Sequence, residues 1–194
     1  MARVIAGEAG GRRLAVPVGR DTRPTSDRAR EGLFATITSI AGPLAGARVL
    51  DLYAGSGAVG LEALSRGAAH VLLVEHDARA LRVIRQNVEA IGLAGAEVLA
   101  DRVERTLARG PAGDPYDVVF ADPPYALADA EVSRVLGLLA EHAWLTPGAL
   151  VIVERATRSG VLTWPDGFVP DRARQYGEGT FWYGLVSESA GQRA

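Results

Sequence analysis

Asp122-Pro123-Pro124-Tyr125 places a carboxylate, a stiff backbone and a flat aromatic ring directly after the strand-like run at 116–121. Proline gives no N–H to a sheet ladder and restricts the residue before it, so the pair ends that strand firmly. Asp122 is able to accept one N–H and the Pro123 carbonyl a second. Tyr125 offers a stacking face, worth ~1–3 kcal/mol per base. Together with Pro124, these groups suit a planar ring bearing an exocyclic NH2. Such an amine is a poor nucleophile, because its lone pair is delocalised into the ring. Two hydrogen bonds from the NH2 favour a pyramidal nitrogen whose lone pair points at an electrophilic methyl group. Orientation alone then lowers the barrier by ~7–11 kcal/mol. Asp122 is placed to take the released proton. A base must leave its stack to enter such a slot. The plainer alternative is a strand stop with a packing tyrosine.

Three further acidic or glycine-rich points recur at strand ends. In "DLYAGSGAVG" (51–60), Asp51 lies in a strand, Tyr53 follows, and Gly55-Ser56-Gly57 makes a turn. Gly55, Gly57 and Gly60 match G-x-G-x-x-G, a weak signal alone, since a tight strand-to-helix turn gives the same pattern. Glu75 follows Gly55 by 20 residues, a spacing at which an acid accepts the ribose hydroxyls of NAD or of any adenosine ligand. His76 and Asp77 come next. Asp101-Arg102 ends a third strand. Its carboxylate suits an adenine amino group and a neighbouring N–H suits a ring nitrogen, while an N-cap is the plainer role for Asp101. The candidate cofactor contacts are therefore Asp51, Tyr53, Gly55, Ser56, Gly57, Glu75, His76, Asp101 and Arg102.

These points need a sheet whose strand ends share one edge. The runs 48–53, 70–75, 96–100, 116–121 and 149–155 are apolar enough for strands buried on both faces. Helical patterns at 58–66, 78–92, 102–109 and 128–142 alternate with them, and Leu81, Ile84, Val88 and Ile91 align on one helix face. Strands alternating with helices imply an α/β fold with a mostly parallel sheet and helices on both faces. Ligands of such sheets bind beyond the carboxyl ends of the strands. Residues 3–16 read as two short strands around Gly10-Gly11, and 17–25 as a linker. A helix capped by Thr25 or Ser26 runs to Ile40, burying Ala29, Leu33, Phe34 and Ile37. "DRARQYG" and "TFWYGLV" form a hairpin around Gly177–Gly179.

Composition narrows the classes. At 194 residues and 48% hydrophobic, the chain suits one domain with a sizeable core. It has no cysteine, which excludes disulfides and thiol chemistry. No apolar run approaches a membrane span, and the N-terminus lacks the apolar core of a signal peptide, so a cytoplasmic protein is expected. His70, His76 and His142 lack ligand spacing, so no metal is expected. The net charge is −2, yet residues 1–30 hold seven of the 21 arginines against three acids. Arg12, Arg13, Arg20 and Arg23 are candidate phosphate contacts, which position a nucleic acid without specifying it. Solvated arginines on a hairpin are the plainer alternative.

"DLYAGSGAVGLEA", "VEHD", Asp101 and "ADPPY" resemble the Rossmann-like, S-adenosylmethionine-dependent amino-methyltransferases. That motif is shared by DNA adenine-N6 and RNA guanine-N2 enzymes. "RVIAGEAGGRRLAVP" followed by "TRPTSDRAREGLF" resembles the bacterial RsmD family, over about residues 3–187. The resemblance implies a class I methyltransferase sheet of seven strands with the last antiparallel, preceded by an N-terminal hairpin. It implies methyl transfer from S-adenosylmethionine, with S-adenosylhomocysteine as product, to guanine N2 of 16S rRNA in an assembled or nearly assembled 30S subunit, by a monomer. It carries Gly55 and Gly57 to the methionine side, Glu75 to the ribose, Asp101 to the adenine and Asp122–Tyr125 to the target amine. The implied division is 1–25 hairpin and RNA-facing linker, 26–187 methyltransferase domain and 188–194 a frayed tail. A DNA adenine-N6 methyltransferase, an NAD(P)-dependent oxidoreductase and a non-catalytic RNA-binding factor stand as alternatives.

Overall fold

The computed structural model describes residues 2–17 and 26–187. Arg20, Arg23, the cap Thr25, most of the 17–25 linker and the 188–194 tail lie outside the described residues. The chain forms two compact units, dividing between Arg102 and Val103.

In the first unit, β1 (Ala2–Arg3) and β2 (Arg13–Leu14) pair antiparallel. They are shorter than the 3–16 hairpin expected. Between them, the amides of Ile5, Ala6, Glu8 and Ala9 turn instead to the helix α2 (Ala58–Ser65). Ile5 and Ala6 donate to the Glu62 carboxylate at 2.7 and 3.1 Å, and Ala9 donates to Ser65 Oγ at 2.9 Å. Every residue of α2 is buried, which an eight-residue helix achieves only when covered on its outer side. A Cβ at Gly7 would lie 1.8 Å from the Ser65 carbonyl oxygen, so glycine is what lets this segment lie so close.

Ser26 caps α1 (Asp27–Ala41) by accepting from the Ala29 N–H at 3.2 Å. Ala29, Leu33, Phe34 and Ile37 are buried, as the spacing predicts. β3 (Arg48–Leu52), β4 (His70–Glu75) and β5 (Ala96–Ala100) lie parallel in the order β5-β4-β3. Their register sets Leu52 beside Val74 and Glu75 beside Ala100, so the three carboxyl ends are level. α3 (Ala78–Ile91) is capped by Asp77, which accepts from Arg79 and Ala80. Its buried face differs from the expected one: Asn87, not Val88, faces inward and is 1% exposed.

The second unit begins with α4 (Val103–Leu107), then β6 (Tyr116–Ala121), α5 (Asp129–Glu141), β7 (Leu145–Ala156), β8 (Phe168–Tyr176) and β9 (Gly179–Val186). Their order is β6-β7-β9-β8. β6 and β7 are parallel, and β9 runs antiparallel to both β7 and β8. β7 starts earlier than expected because Leu145 already pairs with Tyr116; the register then slips before Leu150 meets Val118. Tyr116 stacks on Trp144, whose Nε1 donates to the Leu107 carbonyl at 2.9 Å. The two units thus supply seven strands, parallel except for β9, and the hairpin forms its own two-stranded sheet. This is the mostly parallel α/β architecture that the alternation implies.

Candidate functional site

The first unit gathers its candidates at the level ends of β3, β4 and β5. Glu75 is 8% exposed. Its Oε2 accepts the Gly55 N–H at 3.0 Å, and its Oε1 accepts those of His76 and Asp77 at 2.7 and 2.8 Å. Three amides occupy three of the roughly four acceptor positions of a carboxylate. That leaves room for one further donor, so a ribose could engage this acid through both hydroxyls only by displacing an amide. The Asp101 N–H donates to the Glu75 carbonyl at 3.1 Å, bringing the third acid to the same edge. Asp101 Oδ1 takes the Arg102 N–H at 2.7 Å. That amide is already engaged locally, so a ring nitrogen would need a different N–H. His76 is exposed beside Glu75.

Asp51 works from behind the loop. Its carboxylate is 2% exposed and accepts the Gly60 N–H at 2.9 Å. Burial pushes it up to about 8, the Gly60 bond opposes this, and Glu75 adds to the rise. A buried acid held this way shapes the glycine loop and has little surface to offer a ligand. A Cβ at Gly60 would sit 2.6 Å from Leu73 Cδ2 and 2.8 Å from Val71 Cγ1, so this glycine is there for close helix–sheet packing. Gly57, at φ 77°, is the N-cap of α2. Tyr53 has φ 58°, a conformation that costs a non-glycine residue ~1–3 kcal/mol and tends to occur where a ligand loop needs it.

Asn87, absent from the sequence candidates, joins this edge to the N-terminal segment. Its Nδ2 donates to the Ser56 and Ala15 carbonyls, both at 2.9 Å, and its Oδ1 accepts the Ala15 N–H at 2.8 Å. In sequence it is one polar residue on an amphipathic helix. Only its inward position reveals the role. Arg12 donates to the Ile91 carbonyl at the C-terminal end of α3, so one of the expected phosphate contacts also anchors the hairpin. Arg13 is exposed on β2.

In the second unit the motif follows β6. Asp122 is half-buried, Pro123 buried, Pro124 exposed and Tyr125 40% exposed. The Pro124 carbonyl closes a turn by accepting the Leu127 N–H at 2.8 Å. The Pro123 carbonyl, one residue earlier, is the acceptor expected for the amine. Arg155, buried in β7, donates through Nη2 to the Leu127 carbonyl at 2.8 Å and to Asp129 at 2.9 Å. The Tyr125 hydroxyl lies 3.5 Å from Glu154 Oε1. Tyr125 is pushed up to about 12, by burial first and then by the charges of Glu154 and Asp122.

Among the described residues no group of histidine, cysteine or acids is arranged to hold a metal. Among the described residues, no helix is long and apolar enough to cross a membrane. The first unit does fit an adenosine-type cofactor: two positive-φ glycines at the loop, one acid with residual acceptor capacity, and a second acid on the next strand.

Residues 2–184 match the family described as "Conserved hypothetical protein 95". The chain is 36% identical over 176 residues to "Ribosomal RNA small subunit methyltransferase D" of Escherichia coli K12, covering 91% of this chain and 85% of that one. It is 36% identical over 155 residues to YlbH of Bacillus subtilis, covering 78% and 81%. The solved structure of yhhF from Escherichia coli superposes with a TM-score of 0.83 at 32% identity, covering 96% of this chain and 98% of that one.

Proposed function

This chain belongs to the RsmD family of methyltransferases, and from that premise we propose that it methylates the exocyclic N2 amine of a guanine in 16S rRNA with S-adenosylmethionine as donor. The observation that carries the reading is the Asp122–Tyr125 loop at the carboxyl end of β6: a carboxylate, a carbonyl and a partly exposed aromatic ring suit a planar amine. The oxidoreductase alternative falls with the family assignment, and no hydride chemistry needs that loop.

When bound, S-adenosylmethionine supplies a methyl group on a sulfonium, an electrophile strong enough to need no metal. The chain's own residues do the rest. Gly55, Glu75 and Asp101 bind and orient the adenosine part. The Asp122 carboxylate and the Pro123 carbonyl each accept one N–H of the amine, fixing its lone pair on the line of attack. Transfer would form the N–C bond as the methyl–sulfur bond breaks and S-adenosylhomocysteine leaves; Asp122 is placed to stabilise the positive charge on the nitrogen and to receive its proton. Tyr125 stacks on the guanine. Arg12 and Arg13, with Arg20 and Arg23 of the following segment, contact phosphates; a chain of net charge −2 binds RNA through such a local field. The substrate is the assembled or nearly assembled 30S particle, the enzyme acts as a monomer, and a ribosomal substrate places it in the cytoplasm.

The test is transfer of labelled methyl from S-adenosylmethionine to 30S particles, to free 16S rRNA and to DNA, followed by nucleoside mass spectrometry. Label recovered as N2-methylguanosine from 16S rRNA is the expected result. Label in DNA as N6-methyladenine, with none in 16S rRNA, overturns the proposal in favour of the DNA enzyme.

A further inference from the structure

Gly179 opens β9 with ordinary extended backbone, so its lack of a side chain is not a matter of φ. A Cβ there would lie 2.6 Å from Glu154 Oε1 and 3.4 Å from the Tyr125 hydroxyl. The space a side chain would fill is taken by the contact between those two groups. Glu154 is itself buried, at the end of β7. It lies 29 residues beyond Tyr125, outside the motif. Its neighbour Arg155, which points to the opposite side of the strand, ties down the loop at Leu127 and Asp129. Two consecutive residues of β7 therefore hold the motif loop at two places.

We propose that Glu154 is a positioning residue for the transfer: its carboxylate accepts the Tyr125 hydroxyl and sets the plane of the ring, and residue 179 is glycine so that this carboxylate has a seat. The inference rests on the reading that Tyr125 stacks on the target base. It adds that the stacking ring is oriented from outside the motif. A half-exposed tyrosine otherwise rotates about its side-chain bonds, and a stacked base would rotate with it, away from the line of attack. The acids facing the hydroxyl are Glu154, Asp122 and Glu178, all of which raise its titration point. Among these three, Glu154 is the one in hydrogen-bond contact with it.

Gly179→Ala displaces the carboxylate without altering either partner. Methyl transfer to 30S particles is measured for Glu154→Ala, Gly179→Ala, Tyr125→Phe and the Glu154→Ala/Tyr125→Phe double variant. Calorimetry with S-adenosylhomocysteine checks that each still binds cofactor normally. Each single variant is expected to lose about fivefold in kcat, with KM for the particle changing less than twofold. The double variant is expected to lose no more than either single one, since both remove the same contact. Glu154→Gln, whose amide oxygen still accepts the hydroxyl, is expected to recover most of the rate. Losses that multiply in the double variant, or a Glu154→Gln as slow as Glu154→Ala, overturn the inference. A spectroscopic titration of Tyr125, taken by difference from Tyr125→Phe, needs no substrate. Glu154→Gln and Gly179→Ala should both lower its midpoint. If they do while no nucleic acid is methylated, the contact stands and the reaction is misread; if neither lowers it, the contact is refuted whatever the reaction.

Discussion

At the ends of β3, β4 and β5, acids hold backbone: Glu75 gathers the amides of Gly55, His76 and Asp77, Asp51 that of Gly60, and Asp101 that of Arg102. The loop after β6 is held by side chains reaching from another strand, Glu154 to the Tyr125 hydroxyl and Arg155 to Leu127 and Asp129. Backbone amides fixed by buried carboxylates give a rigid surface that needs little rearrangement to receive a cofactor. A loop fixed by two side chains, with Tyr125 partly in solvent, presents an oriented ring face to solvent. The difference suits the proposed tasks, a small constant cofactor at the first region and an RNA base at the second.

Separating the two regions by mutation gives the largest expected effects. On the proposed reading, Asp122→Ala removes the acceptor for the amine and the charge that stabilises the cationic nitrogen. Methyl transfer should fall by about a thousandfold, in the range seen when one group that stabilises developing charge is removed. Affinity for S-adenosylhomocysteine should stay near native by calorimetry. Collapse of cofactor binding would erase the contrast between the regions. Glu75→Ala is the reciprocal case. It removes the acceptor of three loop amides and, on the proposed reading, the ribose contact; hydrogen bonds to charged groups are worth ~1.5–3 kcal/mol. Cofactor affinity should weaken by about a hundredfold, with kcat at saturating cofactor changed far less.

Gly60→Ala tests the packing beneath the first region. Its Cβ would meet Leu73 and Val71 well inside contact distance. Overpacking of this kind costs ~1–3 kcal/mol, read as a lower midpoint of chemical unfolding. The same substitution at Gly177 meets nothing within 4 Å, and there only its φ of 62° opposes alanine.

A final test concerns pH. Asp51 titrates near 8 in the folded chain and at ~3.9 when unfolded. Between those values the unfolded state has lost the proton that the folded state keeps. This group's contribution to stability therefore falls as pH rises from about 4 to about 8, and is constant outside that window. Asp51→Asn keeps an oxygen for the Gly60 N–H and removes the titration, so the cofactor-free protein should show a flatter stability profile over that range. A profile with unchanged slope would show that Asp51 ionises normally.

The placement of the candidate groups was legible in the chain itself. The glycine loop, Glu75 at its spacing, Asp101 and the proline pair each lie next to the strand end that presents them, and local sequence decides such placements. The strand and helix order followed from apolar periodicity in the same way. Legibility stopped where one side chain meets a distant partner. Asn87 looked like a polar position next to an apolar Val88, yet it faces inward and joins Ala15 to Ser56. Glu62 carries no local signal of burial, yet it is fully buried and receives the N-terminal segment. Glu154 and Arg155 carry no local signal of the loop they hold.

By itself, then, the sequence determined which elements form and which strand ends carry acids, glycines and prolines, because dihedral preferences and the alternation of faces act over a few residues. Tertiary structure alone decided what those acids touch: which buried carboxylate shapes a loop, which arginine anchors a hairpin, and which glycine leaves room for a carboxylate. Those outcomes depend on pairs 9 to 79 residues apart, and no local preference fixes such partners.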